Sequence, residues 1–335
     1  GLVRQAAGAG QQVLAHMGRA GGGGDLRGAH RRHRPGRRVC ARDVLIATDP
    51  GLDDAVAILL ALSHPGLDVR GVTTVAGNLG LAVTTRNAGR LLALAGRAGV
   101  PLHAGAAAPL ERPGIDEAAI HGADGLGGAI LPEPPAPAGG DAVGFLAQTL
   151  REAPEGSLDL LCLGPLTNLA LLLAQAPDAA RRVGRVVAMG GALEERGNAG
   201  PCSEFNLAHD PEAAARVLAA GLDLTLVPLD ATRRVRADRA FLARLAAGPA
   251  LARATGDLVA AYFEARTGTE SRPLHDPLVP LLLLRPEAFR VEDRSLDVDL
   301  SEDPGALVPG PWAARVALAP DAPRLLDALA RALGA

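Results

Sequence analysis

A chain of 335 residues with 48% hydrophobic and 21% charged side chains can bury a sizeable core, and its formal net charge of −3 argues against a general affinity for nucleic acid or an anionic membrane. No run is long and apolar enough to span a bilayer, and no apolar leader segment stands at the start. Three cysteines (Cys40, Cys162, Cys202) without metal-ligand spacing make no disulfide framework, so a reducing cytoplasmic setting is expected. The first 42 residues carry G-G-G-G at 21–24 and a basic run at 30–38, with no helical or strand period and no aromatic residue to stack on a base. A disordered Gly/Arg-rich tail is expected there.

From Asp43 onward strand and helix patterns alternate. Val44, Leu45 and Ile46 form a buried strand, Pro50-Gly51 turns the chain, and helical spacing begins near Leu52. A second strand covers about 67–75 and ends at Ala76-Gly77-Asn78; a helix with Asn87, Leu91, Leu92 and Leu94 follows. After a short strand near Val100–Ala104 comes a long Pro- and Gly-rich passage, 105–140, holding H-G-A-D-G-L-G-G at 121–128. Its length predicts a functional loop that closes over a ligand, with His121 as a contact. A helix near 142–152 and a strand Leu158–Leu163 lead to G-P-L-T-N (164–168) and a Leu/Ala helix. A strand at Val183–Met189, a polar loop at 196–210, a helix at Pro211–Ala220 and a strand at Leu222–Val227 come next. Two helices fill 238–265 before R-P-L-H-D-P-L-V; weaker strands near 294–300 and 313–318 and a helix at about 322–333 close the chain. The pattern predicts one α/β domain over 43–335, with a single open, mostly parallel sheet flanked by helices.

In a parallel sheet the polar loops after successive strands share one edge, where such sheets bind ligands. That edge gathers Asp49, Asp53, Asp54, Asn78, Thr167, Asn168, Asn198, Glu204, Asn206, His275 and Asp276. Asparagine occurs only five times in the chain, at 78, 87, 168, 198 and 206, and lysine is absent. A composition that has shed Asn so thoroughly keeps it where a replacement fails, and four of the five fall at this edge. Asp49, Asp53 and Asp54 repel one another unless a cation, a proton or solvation relieves them. A hard, oxygen-loving ion such as Ca²⁺ is the simplest relief, whereas Mg²⁺ wants a stricter octahedron. The neutral amides and Glu204 suit hydroxyl groups, and few basic residues are present to take a phosphate. A neutral polyol held through a divalent ion is the expectation.

The series D-P-G-L-D-D, V-A-G-N, H-G-A-D-G-L-G, G-P-L-T-N-L-A, M-G-G-A, S-E-F-N-L-A-H-D-P-E-A-A and L-H-D-P-L resembles the inosine–uridine preferring nucleoside hydrolases, in the family's own order. The resemblance implies the nucleoside hydrolase fold and Ca²⁺-dependent hydrolysis of ribonucleosides to base and ribose. It implies a metal held by Asp49, Asp54, Asp276 and the main-chain carbonyl of Thr167, with Asp49 as base toward water. Asp53 and Asn78 would hold ribose hydroxyls, with Asn198, Glu204 and Asn206 toward the 5′ end. His275, the only histidine adjacent to an expected metal ligand, is the candidate acid for the leaving base. A homodimer or homotetramer in nucleoside salvage, with no nucleic-acid or membrane partner, is the expected setting. Two departures stand out: Ala47 occupies the place of the family's first Asp, and the resemblance fades after about Arg285. The rival readings are an aspartyl phosphotransferase, which would want an Asp where Gly51 stands, and a non-catalytic ribose- or nucleoside-binding protein of the same fold.

Overall fold

The computed structural model describes residues 41–115, 117–134, 138–264 and 271–335. The tail expectation for residues 1–42 falls almost wholly outside these, and its boundary moves slightly, since Arg42 opens the first strand. The strands are β1 (Arg42–Thr48), β2 (Leu67–Thr74), β3 (Leu102–Ala104), β4 (Leu158–Cys162), β5 (Val186–Met189), β6 (Leu224–Val227), β7 (Arg236–Asp238), β8 (Ser271–Pro273), β9 (Arg290–Val298), β10 (Leu307–Pro309) and β11 (Trp312–Leu318). Nine of them form one sheet in the order β10-β9-β11-β6-β5-β4-β1-β2-β3, while β7 and β8 pair separately. Every neighbouring pair in the large sheet is parallel except those of β9, which runs antiparallel to β10 and β11.

Alternation along the central strands divides the core into two layers. Val44, Ile46, Leu161, Val187 and Met189 face one layer, built with the helices Leu52–Ser63, Ala250–Glu264, Leu278–Leu284 and Ala322–Ala332. Leu45, Ala47, Leu160, Cys162, Val186 and Ala188 face the other, with the helices Ala142–Glu152, Thr167–Gln175 and Pro211–Leu218. Strands covered on both faces must be apolar throughout, which is why their pattern is continuous. Ala47 belongs to this second layer, 5% exposed among leucines and valines.

The irregular parts differ from the sequence reading. The loop at 196–210 contains the short helix Phe205–His209, and the passage 105–140 contains Ala118–His121. β9 starts earlier than its pattern predicts because its first six residues are largely exposed and show no apolar alternation. β10 is a three-residue edge strand ending at Pro309, too short to leave a period and suited to an edge because Pro donates no ladder bond.

Candidate active site

The carboxyl ends of the strands deliver the site. β1 ends at Thr48, and the next residue, Asp49, is 1% exposed. Its Oδ2 accepts from the Asn78 amide at 2.7 Å, and its main-chain oxygen accepts from Asn78 Nδ2 at 3.2 Å. Pro50-Gly51 turns the chain into the helix Leu52–Ser63, whose first turn carries Asp53 and Asp54. Asp54 reaches back to accept from Thr48 Oγ1 at 2.5 Å, the Gly51 amide at 3.1 Å and Asn78 Nδ2 at 3.0 Å. Asp276 arrives from the turn after β8, and one carboxylate oxygen each of Asp53, Asp54 and Asp276 lies within 4.8 Å of the others.

Asp49 stands just behind this triad. Glycines on two sides let its carboxylate in: a Cβ on Gly77 would lie 2.1 Å from Oδ2, and one on Gly164 would lie 2.1 Å from Oδ1. That Oδ1 is buried and has no hydrogen-bond partner among the described residues.

The carboxylates open onto a hollow of about 450 Å³, its mouth included, within the range of small-molecule sites. Of the residues expected from sequence, Asp53, Asp54, Asn78, His121, Asn198, Glu204, Asn206, His275 and Asp276 line it. Thr167 does not line it. It opens the helix Thr167–Gln175, where its carbonyl meets the helix ladder, and its Oγ1 donates to Asp210 at 2.7 Å. Just before this loop, Leu163 lines the hollow, and its carbonyl accepts from Asn206 Nδ2 at 2.8 Å. Asn168 also works elsewhere, donating to the Thr74 carbonyl and accepting from the Ala106 amide, both at 2.9 Å. Glu117, Ile120, Met189, Phe205 and Tyr262 line the hollow without having been expected.

Glu204 is the N-cap of Phe205–His209; its Oε2 accepts from the amides of Gly191, Asn206 and Leu207 at 3.0–3.3 Å. Asn198 accepts from the Phe205 amide at 2.8 Å, and the amides of residues 198–200 converge on the Ser203 carbonyl. From the far side Asp303, beyond β9, accepts from the Cys202 amide at 2.7 Å and Ser203 Oγ at 2.8 Å. This brace keeps Asn198 and Glu204 at the rim.

Two histidines face the carboxylates. His121 Nδ1 accepts from the Leu52 amide at 3.0 Å, which places the proton of the neutral ring on Nε2. Burial pushes its pKa down to about 4. His275 is partly exposed, its Nδ1 bonded to Thr232 Oγ1 at 2.7 Å. Burial first, then Arg233, Arg272 and Arg236, hold its pKa down at about 3.

Burial and mutual repulsion raise the carboxyl groups together. Asp49 and Asp276 lie well above the usual range, with burial the larger cause and neighbouring carboxylates the next. Asp53 is pushed up to about 7 by burial and Asp54, and Glu204 to about 7 by burial. Such a cluster, with one orphaned oxygen, fits a hard cation: it either takes up protons or takes up an ion.

A stability test follows. Without a cation the folded state binds more protons than the unfolded chain, so stability falls as pH rises from the unfolded Asp value of about 3.8 through about 7. The Tm gain on adding Ca²⁺ to chelator-treated protein is thus expected to grow between pH 5 and pH 8. A gain equal at both pH values would show that the ion is held elsewhere.

A mostly parallel sheet whose carboxyl edge presents clustered aspartates beside neutral amides has the donor and acceptor set that suits a polyhydroxylated ligand. The chain belongs to the inosine–uridine preferring nucleoside hydrolase family, whose model matches residues 44–327. The match runs past Arg285, where resemblance by motif fades, so the C-terminal strands belong to the family pattern as well. The pyrimidine-specific ribonucleoside hydrolase RihA of Citrobacter koseri is 40% identical over 265 residues, 77% of this chain and 84% of that one. Among solved structures, the plant nucleoside hydrolase PpNRh1 superposes with a TM-score of 0.81 at 30% identity, covering 88% of this chain and 99% of that one. A purine-preferring ribonucleoside hydrolase from Gardnerella vaginalis gives 0.82 at 25% identity, covering 87% and 98%. Among the described residues no helix is long and apolar enough to cross a membrane.

Proposed function

We propose that this nucleoside hydrolase cleaves the N-glycosidic bond of ribonucleosides with Ca²⁺ held by Asp49, Asp54 and Asp276 and the carbonyl of Leu163, which takes the place expected of Thr167. The observation that carries this reading is the Asp49 carboxylate. One oxygen is pinned by the Asn78 amide, and the other is buried, without a partner among the described residues and set against Gly164, beside Leu163. When bound, the cation would offset the carboxylate charge and lower the pKa of water it coordinates. Asp49 takes the proton from the attacking water. Breaking an N-ribosidic bond builds oxocarbenium character at C1′, as in O-glycoside hydrolysis, and the ionised aspartates beside the sugar stabilise that charge. Asp53 and Asn78 hold the ribose hydroxyls; Asn198, Glu204 and Asn206 hold the 5′ end.

The base then lies along His121, Ile120 and Tyr262, where flat rings suit a heterocycle. With Nδ1 accepting from the Thr232 hydroxyl, His275 carries its proton on Nε2 and offers the departing base an N–H hydrogen bond there.

The relatives divide between purine and pyrimidine preference, so the test uses a panel of uridine, cytidine, inosine and adenosine, with chromatography for free base. Release of base is expected to stop on exhaustive chelation and return with Ca²⁺. Turnover that survives chelation would remove the ion from the reaction; tight binding without release would make the protein a nucleoside binder.

A further inference from the structure

Tyr262 is the single tyrosine of the chain, and it stands in the wall of the hollow. Its ring lies nearly parallel to that of His121, 13° between planes and 6.1 Å between centroids. Behind it is Arg272 on β8, itself only 7% exposed. The guanidinium carbon sits 4.3 Å from the Tyr262 ring centroid, and Nε donates to the Tyr262 carbonyl at 2.8 Å. One terminal nitrogen, Nη2, is buried without a hydrogen-bond partner among the described residues.

A guanidinium is an expensive group to place inside a protein, and packing alone does not call for one, since Met fills similar volume. What Arg supplies and Met does not is a planar cation that lies on a ring face while its edge holds a carbonyl. The two contacts grip both ends of one residue: the backbone of Tyr262 through the carbonyl and its side chain through the face. The next ring in the stack, His121, is held from its own edge by the Leu52 amide. Gly51 leaves it room, because a Cβ there would lie 2.5 Å from Nδ1.

We propose that Arg272 is a positioning residue for the base-side wall of the site: it clamps Tyr262 by face and by carbonyl, and Tyr262 fixes the plane of His121 against which the leaving base docks. The assignment rests on the nucleoside-hydrolysis reading for what the wall does, and on the contacts alone for the clamp. Arg272 touches no substrate in this arrangement; it acts through Tyr262.

The test exploits the solitary tyrosine. Protein labelled with 3-fluorotyrosine gives one ¹⁹F resonance, from residue 262. Arg272→Met and Arg272→Lys are each expected to shift or broaden it. The same variants should lower kcat/KM on inosine or uridine by about 10–100-fold, as loss of a supporting partner commonly does. They should leave p-nitrophenyl riboside within about threefold, because its leaving group departs as a stable anion that needs little help from the wall. Arg272→Lys retains the charge and so guards against a variant that merely fails to fold; lacking the planar fork, it should show the same selective loss. An unchanged ¹⁹F signal in a folded variant, or equal losses on both substrates, would overturn the proposal. If the unaltered protein cleaves neither substrate, the hydrolysis reading fails, while the ¹⁹F comparison still judges the clamp.

Discussion

2′-Deoxyribonucleosides are expected to be cleaved about 10⁴–10⁵-fold more slowly than their ribo counterparts, the discrimination reached by sites built to bond a hydroxyl that the analogue lacks. The expectation comes from burial. Asp53 and Asn78 are each 7% exposed and Asp276 is 4% exposed, so none can turn to bulk water when a sugar hydroxyl is missing. Asn78 is further committed by its bonds to Asp49 and Asp54 and has little freedom to re-pair. Removing the 2′-hydroxyl therefore leaves desolvated polar groups unmatched in the ground state and again as charge develops at C1′. Steady-state kcat/KM on uridine and 2′-deoxyuridine, and on inosine and 2′-deoxyinosine, measures it directly. Comparable values for the members of each pair would place the ribose away from Asp53 and Asn78.

Asp49→Asn should abolish most activity, about 10²–10⁴-fold in kcat from loss of the base alone. Asn nearly preserves the volume between Gly77 and Gly164, and its carbonyl oxygen can still accept from the Asn78 amide, so the fold should stand. What disappears is basicity and one negative charge. That loss has a second signature of opposite sign. In chelator at pH 8 the variant should unfold at a higher temperature than the unaltered protein, because a buried carboxylate repelled by Asp54 and Asp53 is gone. Gly164→Ala approaches the same site from outside, since its Cβ would lie 2.1 Å from Oδ1. It should inactivate comparably while leaving every carboxylate in the chain. If Asp49→Asn keeps normal turnover, the base is another residue.

The sheet was legible because strands covered on both faces are unbroken apolar runs, and each ends in turn-forming residues that mark the ligand edge. Scarcity of asparagine led correctly to the rim for Asn78, Asn198 and Asn206. It misled for Asn168, which ties the end of β2 to the loop after β3, while Asn87 tethers the site from behind, donating to the Pro50 carbonyl at 3.3 Å and the Asp124 carbonyl at 2.8 Å. The same argument from rarity applied to Tyr262, the only tyrosine, and would have found it. Leu163, which lines the hollow, could not have been found that way, since a main-chain oxygen is supplied by any residue type. Glu204 carries two meanings at once, capping a five-residue helix and facing the hollow. Sequence alone shows the carboxylate and not the amides that restrain it.

The Asp303 brace joins residues about 100 positions apart in the chain. A gene broken after the codons for the helix Leu278–Leu284 would still spell out every carboxylate, amide and histidine that the chemistry names. Its product would lack the side chain that accepts from the Cys202 amide and the Ser203 hydroxyl, along with three strands of the sheet. Searching genomes for the acidic signature would count such a remnant as a working enzyme. Loss of the aspartate beyond β9 removes the contacts to Cys202 and Ser203 while leaving every motif in place.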